Sequence, residues 1–143
     1  MPVTPPPTRV RWHRAFPELE RDTGAVIGAL KAGLPADRVD ALTAALGVPI
    51  ARLADVLSIP TSTLARRRKA GRLDRDESER AYRLARLVDR AADVFGSVAA
   101  GVEWLKQPQY ALGGQAPLAY ADTEPGSRAV EDLLGRIEHG IPA

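Results

Sequence analysis

Four consecutive cations, Arg66, Arg67, Arg68 and Lys69, follow closely on the hydroxyls of Ser62 and Thr63. A run of this kind can neutralise phosphates and release their counterions, which supplies affinity for a polyanion without reading its sequence. If the run is helical, at ~100° per residue the four cations fan around most of the helix and cannot all share one task. Ser62, Thr63 and Arg66 are the candidates for base edges, because the start of a recognition helix lies deepest in the major groove. Within the run from Arg66 through Arg67 and Arg68 to Lys69, some of the cations are then candidates for phosphates. A second charged group, Arg136, Glu138 and His139, crowds the end of the chain. It fits either a partner contact or a helix end whose cations complement the dipole.

Catalytic chemistry has little to work with. The two histidines, His13 and His139, are far apart and show no metal-ligand spacing. There is no cysteine, which excludes disulfides, thiolate metal sites and thiol nucleophiles. No glycine-rich phosphate loop follows a strand. The acidic pairs Glu77/Glu79 and Glu131/Asp132 read as solvated helix faces. The chain is expected to be no enzyme, with no catalytic residue, no metal and no cofactor.

The elements that position these groups read as helices throughout. Residues 1–16 contain Pro2, Pro5, Pro6 and Pro7 and are expected to be a flexible, proline-rich arm. Val26, Ile27, Leu30 and Leu34 predict a first helix over 18–32, and Val39, Leu42 and Leu46 a second one after Pro35. Two short helices are expected at 50–57 and 61–70 around Ser58-Ile59-Pro60. There Ala54 permits close packing, Leu64 anchors the second helix, and Thr61 or Ser62 can cap it. This is the layout of a helix-turn-helix, with serine where the turn usually carries glycine and Arg67 where an aliphatic residue is usual. A long helix follows from about Asp76 to Phe95, striped by Leu84, Leu87, Val88, Ala91, Val94 and Phe95. That stripe can supply both core and a homodimer interface. Val98, Val102 and Leu105 mark a short helix, 107–115 a loop, and Thr123 the cap of a last helix with Val130, Leu133, Leu134 and Ile137 buried. The class is all-α, divided as arm 1–16, helix-turn-helix domain 17–72 and a second small helical domain 73–143.

Charge divides in the same place. Residues 1–72 carry a balance of +6 and residues 73–143 one of −4, within a total of +2. A basic half suits DNA and an acidic half suits a different partner. No apolar run approaches the ~18–20 residues that span a bilayer, and the N-terminus has no secretion-signal pattern. The expectation is a cytoplasmic protein with no membrane contact.

In order, the second half reads Phe95-Gly96, Trp104-Leu105, Ala111-Leu112-Gly113-Gly114, Pro117-Leu118, Thr123 and Leu134-Gly135-Arg136-Ile137-Glu138-His139-Gly140. This resembles the toxin-binding domain of the Xre/MbcA/ParS antitoxin family, over roughly residues 35–143. The resemblance implies an antitoxin of a type II pair. Its partner would be a RES-domain toxin that consumes NAD or transfers ADP-ribose, and the antitoxin would cover the toxin's NAD pocket. It also implies binding of operator DNA to autoregulate transcription, and because a helix-turn-helix reads two half-sites through a two-fold dimer, a homodimer is expected within a larger toxin–antitoxin complex. Its toxin-binding residues would be Trp104, Leu105, Ala111, Leu112, Gly113, Gly114, Arg136, Glu138, His139 and the free carboxylate of Ala143. Leu112 looks exposed between small and polar neighbours, while Trp104 and Leu105 fit core and interface alike. The rival readings are a stand-alone helix-turn-helix regulator whose second half dimerises or senses a ligand, and a pure inhibitor whose helix-turn-helix is scaffolding.

Overall fold

The computed structural model describes residues 8–141, without the side chains of Thr8 and Val10. The segment from Pro2 to Pro7 and the carboxylate of Ala143, both part of the expectations above, lie outside the described residues.

The longest helix organises the rest. Asp74 and Glu77 form a reciprocal capping box, each side chain accepting the other's backbone N–H, at 2.8 and 2.9 Å. That box satisfies two of the donors a helix start leaves free. From it runs the long helix Arg75–Phe95, whose buried face is Ala81, Leu84, Ala85, Leu87, Val88, Ala91 and Ala92. In chain order the helices are α1 (Thr8–Ala15), α2 (Thr23–Ala32), α3 (Asp37–Leu46), α4 (Ile50–Leu57), α5 (Thr61–Ala70), α6 (Arg75–Phe95), α7 (Val98–Lys106), α8 (Pro117–Tyr120) and α9 (Glu124–Glu138). Two 3-10 turns, Pro17–Glu20 and Tyr110–Leu112, complete the order. Among the described residues there is no strand, only one isolated bridge between Pro35 and Arg72. The chain is all-α, as read from its sequence.

Helices α2, α3 and α4 pack on α6 from one side of the sequence and α7 and α9 from the other, so α6 belongs to both halves. One buried core runs through them, from Trp12 to Leu134. The stretch 71–76, which contains the expected division at 72/73, links the end of α5 to the start of α6. It is stitched to the α2–α3 connection by Leu73 N–H to Leu34 O at 2.9 Å and Ala36 N–H to Gly71 O at 3.0 Å.

The expected arm is corrected over its second half. Residues Thr8–Ala15 are helical, because no proline falls between Thr8 and Phe16 and Trp12 and Phe16 stand four apart on one face. Both rings are buried, with centroids 5.6 Å apart. Arg9 pairs with Asp89 and Asp93 of α6, and His13 lies between Asp89 at 2.6 Å and Glu20 at 3.0 Å. The first expected helix is also shorter than 18–32. Residues 17–20 form the 3-10 turn, Glu18 is buried against Arg38 at 2.6 Å, and α2 starts only after Asp22 accepts the Ala25 N–H.

The hydrogen bond from Arg9, more than any other cause, holds the Asp93 carboxyl below its ordinary range. A lowered carboxylate pKa stabilises the folded state above the unfolded pKa and is lost as pH falls through the folded value. In a Trp104→Phe background, Trp12 fluorescence should therefore be flat down to about pH 4, the ordinary carboxylate value, and change below it.

Helix α7 crosses α6 at Gly101, where a side-chain Cβ would lie 2.7 Å from the backbone C of Ala91 and N of Ala92. Neither atom can yield without moving α6. Gly101→Ala should cost about 2–3 kcal/mol, read as a lowered midpoint in urea with an unchanged slope.

Candidate functional site

Two separate surfaces carry the residues singled out above. The first is built on α4 and α5. Leu53, Ala54, Leu57, Ile59 and Leu64 are all buried between the two helices, and Ala54 gives the close approach that the steep crossing needs. Ser58 adopts the left-handed conformation, with φ of 54°, at the turn position that favours glycine. Arg80 of α6 braces that turn by donating to the Leu57 and Ser58 carbonyls at 3.1 and 2.9 Å. Ser58→Gly removes the left-handed strain at some entropic cost, and should stabilise the protein by about 0.5 kcal/mol in thermal melts.

The start of α5 differs from expectation. Pro60 occupies the N-cap position and neither Thr61 nor Ser62 caps the helix. Thr61 and Ser62 are exposed and Thr63 is half-buried, so their hydroxyls stay available to a partner.

The cationic run divides in two. Arg67 is half-buried and turns inward, its Nε donating to the buried Glu77 carboxylate at 2.8 Å, with Asp74 at 3.4 Å. Arg68 pairs with Asp40 of α3 at 2.6 Å. Arg67 therefore replaces the usual aliphatic residue because it answers a carboxylate buried by the capping box of α6. Both arginines, among the candidates for phosphates, already face carboxylates of their own chain. Arg66 and Lys69 are exposed and form no ion pair among the described residues. With Ser62 they stand at i, i+4 and i+7, on one face of α5. Replacing Arg67 by Ala should lower the melting temperature more than replacing Arg66, because only the first strands a buried charge.

The second surface lies on the hairpin 107–115 and on α9. The hairpin is closed at its base by Gln109 N–H to Gln115 O and Gly114 N–H to Gln109 O, both 3.0 Å. Gly113 and Gly114 have φ of 66° and 82°, and an added Cβ at either would meet nothing, so these glycines serve the turn itself. Leu112 corrects the sequence reading. It is buried, because the 3-10 turn points it into the core, and Leu105 is fully buried as well. Neither side chain is free for a partner. Trp104 is half-buried against Phe95, with centroids 5.4 Å apart. Ala111, Gly113 and Gly114 are exposed. The most exposed large apolar side chain of this surface is Tyr110, at 99%. The sequence reading missed it. The available signal was an aromatic residue standing among polar and small neighbours in a loop.

Arg136, Glu138 and His139 are exposed on the last turn of α9. Glu138 accepts from both Nη atoms of Arg90, at 2.6 and 3.2 Å, and that contact holds its carboxyl below its ordinary range. Its charge is thus already partnered. Arg136 has no ion pair among the described residues. The hairpin base and the terminal turn sit at opposite ends of α9, since Gln115 shares a shallow cavity with Thr123, Pro125 and Gly126. The helix between them has 15 residues and spans about 22 Å. Among the described residues no group of three or more His, Asp or Glu side chains could hold a metal ion, and no helix is long and apolar enough to cross a membrane.

Two family models match the chain. The antitoxin Xre-like helix-turn-helix domain covers residues 25–86, and the antitoxin Xre/MbcA/ParS C-terminal toxin-binding domain covers residues 90–140. One range ends and the other begins inside α6, at residues 86 and 90. An antitoxin Xre of Yersinia enterocolitica is 34% identical over 136 residues, covering 94% of this chain and 91% of that one. A Prs ADP-ribosylating antitoxin of a Sphingobium species is 31% identical over 147 residues, covering 96% and 89%. An antitoxin Xre of Pseudomonas putida is 34% identical over 83 residues, covering 57% and 52%. The first surface lies within the first family range and the second surface within the other.

Proposed function

The chain belongs to the Xre/MbcA/ParS antitoxin family, and from that premise we propose that it silences a cytoplasmic RES-domain toxin by covering the toxin's NAD pocket. The same molecule binds operator DNA through α5 and represses its own operon, as a homodimer within a larger complex with the toxin. The name of the Sphingobium relative, a Prs ADP-ribosylating antitoxin, supports a partner that uses NAD.

The observation that carries the reading is the separation of two exposed surfaces on one continuous core. The face of Ser62, Arg66 and Lys69 offers hydroxyls and unpaired cations to DNA, with Thr63 beside it. The hairpin and the terminal turn offer a different surface, in the acidic half, to a protein. An interface of usual size covers about 800 Å² per partner and so measures about 28 Å across. That is wide enough for one toxin to meet both ends of α9. Ala111, Gly113, Gly114, Arg136 and His139 then form its contacts, while Trp104, Leu105 and Leu112 hold the hairpin and α7 in place from within. Glu138 positions the terminal turn through Arg90. Arg136 pairs with a carboxylate of the toxin.

Co-expression tests the pair. A RES-domain toxin encoded beside this chain is expected; induced alone it should arrest growth, and this chain should restore growth and co-purify with it. Growth arrest that persists despite soluble antitoxin would remove the reading.

A further inference from the structure

The side chain of Tyr110 packs on nothing in its own fold. Its ring is 99% exposed, whereas every other Trp, Phe and Tyr among the described residues is buried or half-buried. An aromatic ring left in water forgoes the burial that makes such residues useful, and tyrosine is the kind of side chain that dominates binding when it enters a desolvated pocket. Its position is also fixed in advance. Tyr110 opens the 3-10 turn Tyr110–Leu112, its carbonyl accepts the Gly113 N–H at 3.1 Å, and Leu112 anchors the same turn in the core. A backbone held this way costs little further entropy on binding.

The geometry points to a concave complement, because a single ring standing out from a tight hairpin is a convex feature. Residue 110 lies within the family's toxin-binding range of 90–140. On the reading above, the partner must own a pocket whose flat slots hold the rings of NAD. We propose that Tyr110 enters that pocket and that its ring occupies a slot otherwise taken by a ring of the dinucleotide. Offset stacking and the polar tip of the phenol match what such a slot offers a flat heterocycle with a polar edge. The inference rests on the proposed NAD-using partner and adds which side chain displaces the nucleotide. The terminal turn of α9 then lies at the other end of the interface, against the rim of the pocket.

The test uses the full chain, the purified toxin and an etheno-adenine analogue of NAD as fluorescent probe. The wild-type chain should bind the toxin and exclude the probe. Tyr110→Ala should keep its helical circular dichroism and melting temperature, since the ring packs on nothing. It should weaken the complex about 30-fold or more, equivalent to about 2 kcal/mol. At saturating antitoxin the probe should bind again. Tyr110→Phe should stay within about threefold of wild type if stacking provides most of the affinity. Unchanged affinity of Tyr110→Ala would overturn the proposal. So would a weakened complex that still excludes the probe completely, because the ring would then sit outside the slot. A wild-type chain that binds the toxin without excluding the probe would overturn the pocket-covering reading itself, and this inference with it.

Discussion

Replacing Arg66 and Lys69 together by alanine should weaken operator binding about 30-fold at 0.15 M salt. The magnitude follows from counterion release. Each phosphate contact contributes about 0.9 to the slope of log affinity against log salt. Since 0.15 M lies about 0.8 log units below 1 M, each contact is worth about fivefold there. The slope itself should fall by about two units. Neither side chain is buried or ion-paired among the described residues, so the melting temperature should not move. Arg67→Ala should show the opposite pattern, with a lowered melting temperature and, in the fraction that remains folded, an unchanged salt slope. If the salt slope instead falls with Arg67→Ala and not with the double variant, α5 meets DNA with its other face. Ser62→Ala should relax sequence preference while leaving the slope unchanged, which separates base reading from phosphate contact.

A chain ending at Ile137 should lose about 30-fold in affinity for the toxin, equivalent to about 2 kcal/mol. The buried face of α9 comprises Val130, Leu133 and Leu134, with Ile137 half-buried, so the helix keeps its packing. What the fold loses is the exposed Arg90–Glu138 pair, and exposed pairs contribute little. What the complex loses is the terminal turn, including His139. Helical content and DNA binding should survive, and titration calorimetry with the toxin should show the loss. A truncated chain that binds the toxin with wild-type affinity would confine the interface to the hairpin end of α9.

Local signals made the helix-turn-helix legible in detail. Helices α4 and α5 fall on the expected 50–57 and 61–70, because proline, serine and the spacing of Leu53, Leu57 and Leu64 are local cues. Thr123 caps α9 as expected, accepting the Gly126 N–H at 3.1 Å. The errors arose where a distant residue decides. Helix α1 forms because it packs on α3 and α7 with Trp12 and Phe16 buried, which composition alone conceals behind the neighbouring prolines. Arg67 is committed inward by Glu77, ten positions away, and Arg68 by Asp40, twenty-eight positions away. Leu112 is drawn inward by a turn too short to show periodicity, and the same turn leaves Tyr110 outside. A family resemblance could mark the hairpin and the terminal turn as important. Only the structure separates the side chains that hold the surface from those that present it.

On the proposed function, this chain silences its partner by occupying the route to NAD. The direct measurement is the rate at which the purified toxin consumes NAD, at several antitoxin concentrations and across a wide range of NAD concentrations. Occupancy of the pocket predicts competition, so the antitoxin concentration giving half inhibition should rise linearly with NAD. Half inhibition at the same antitoxin concentration, whatever the NAD level, would contradict the claim and place the contact away from the pocket.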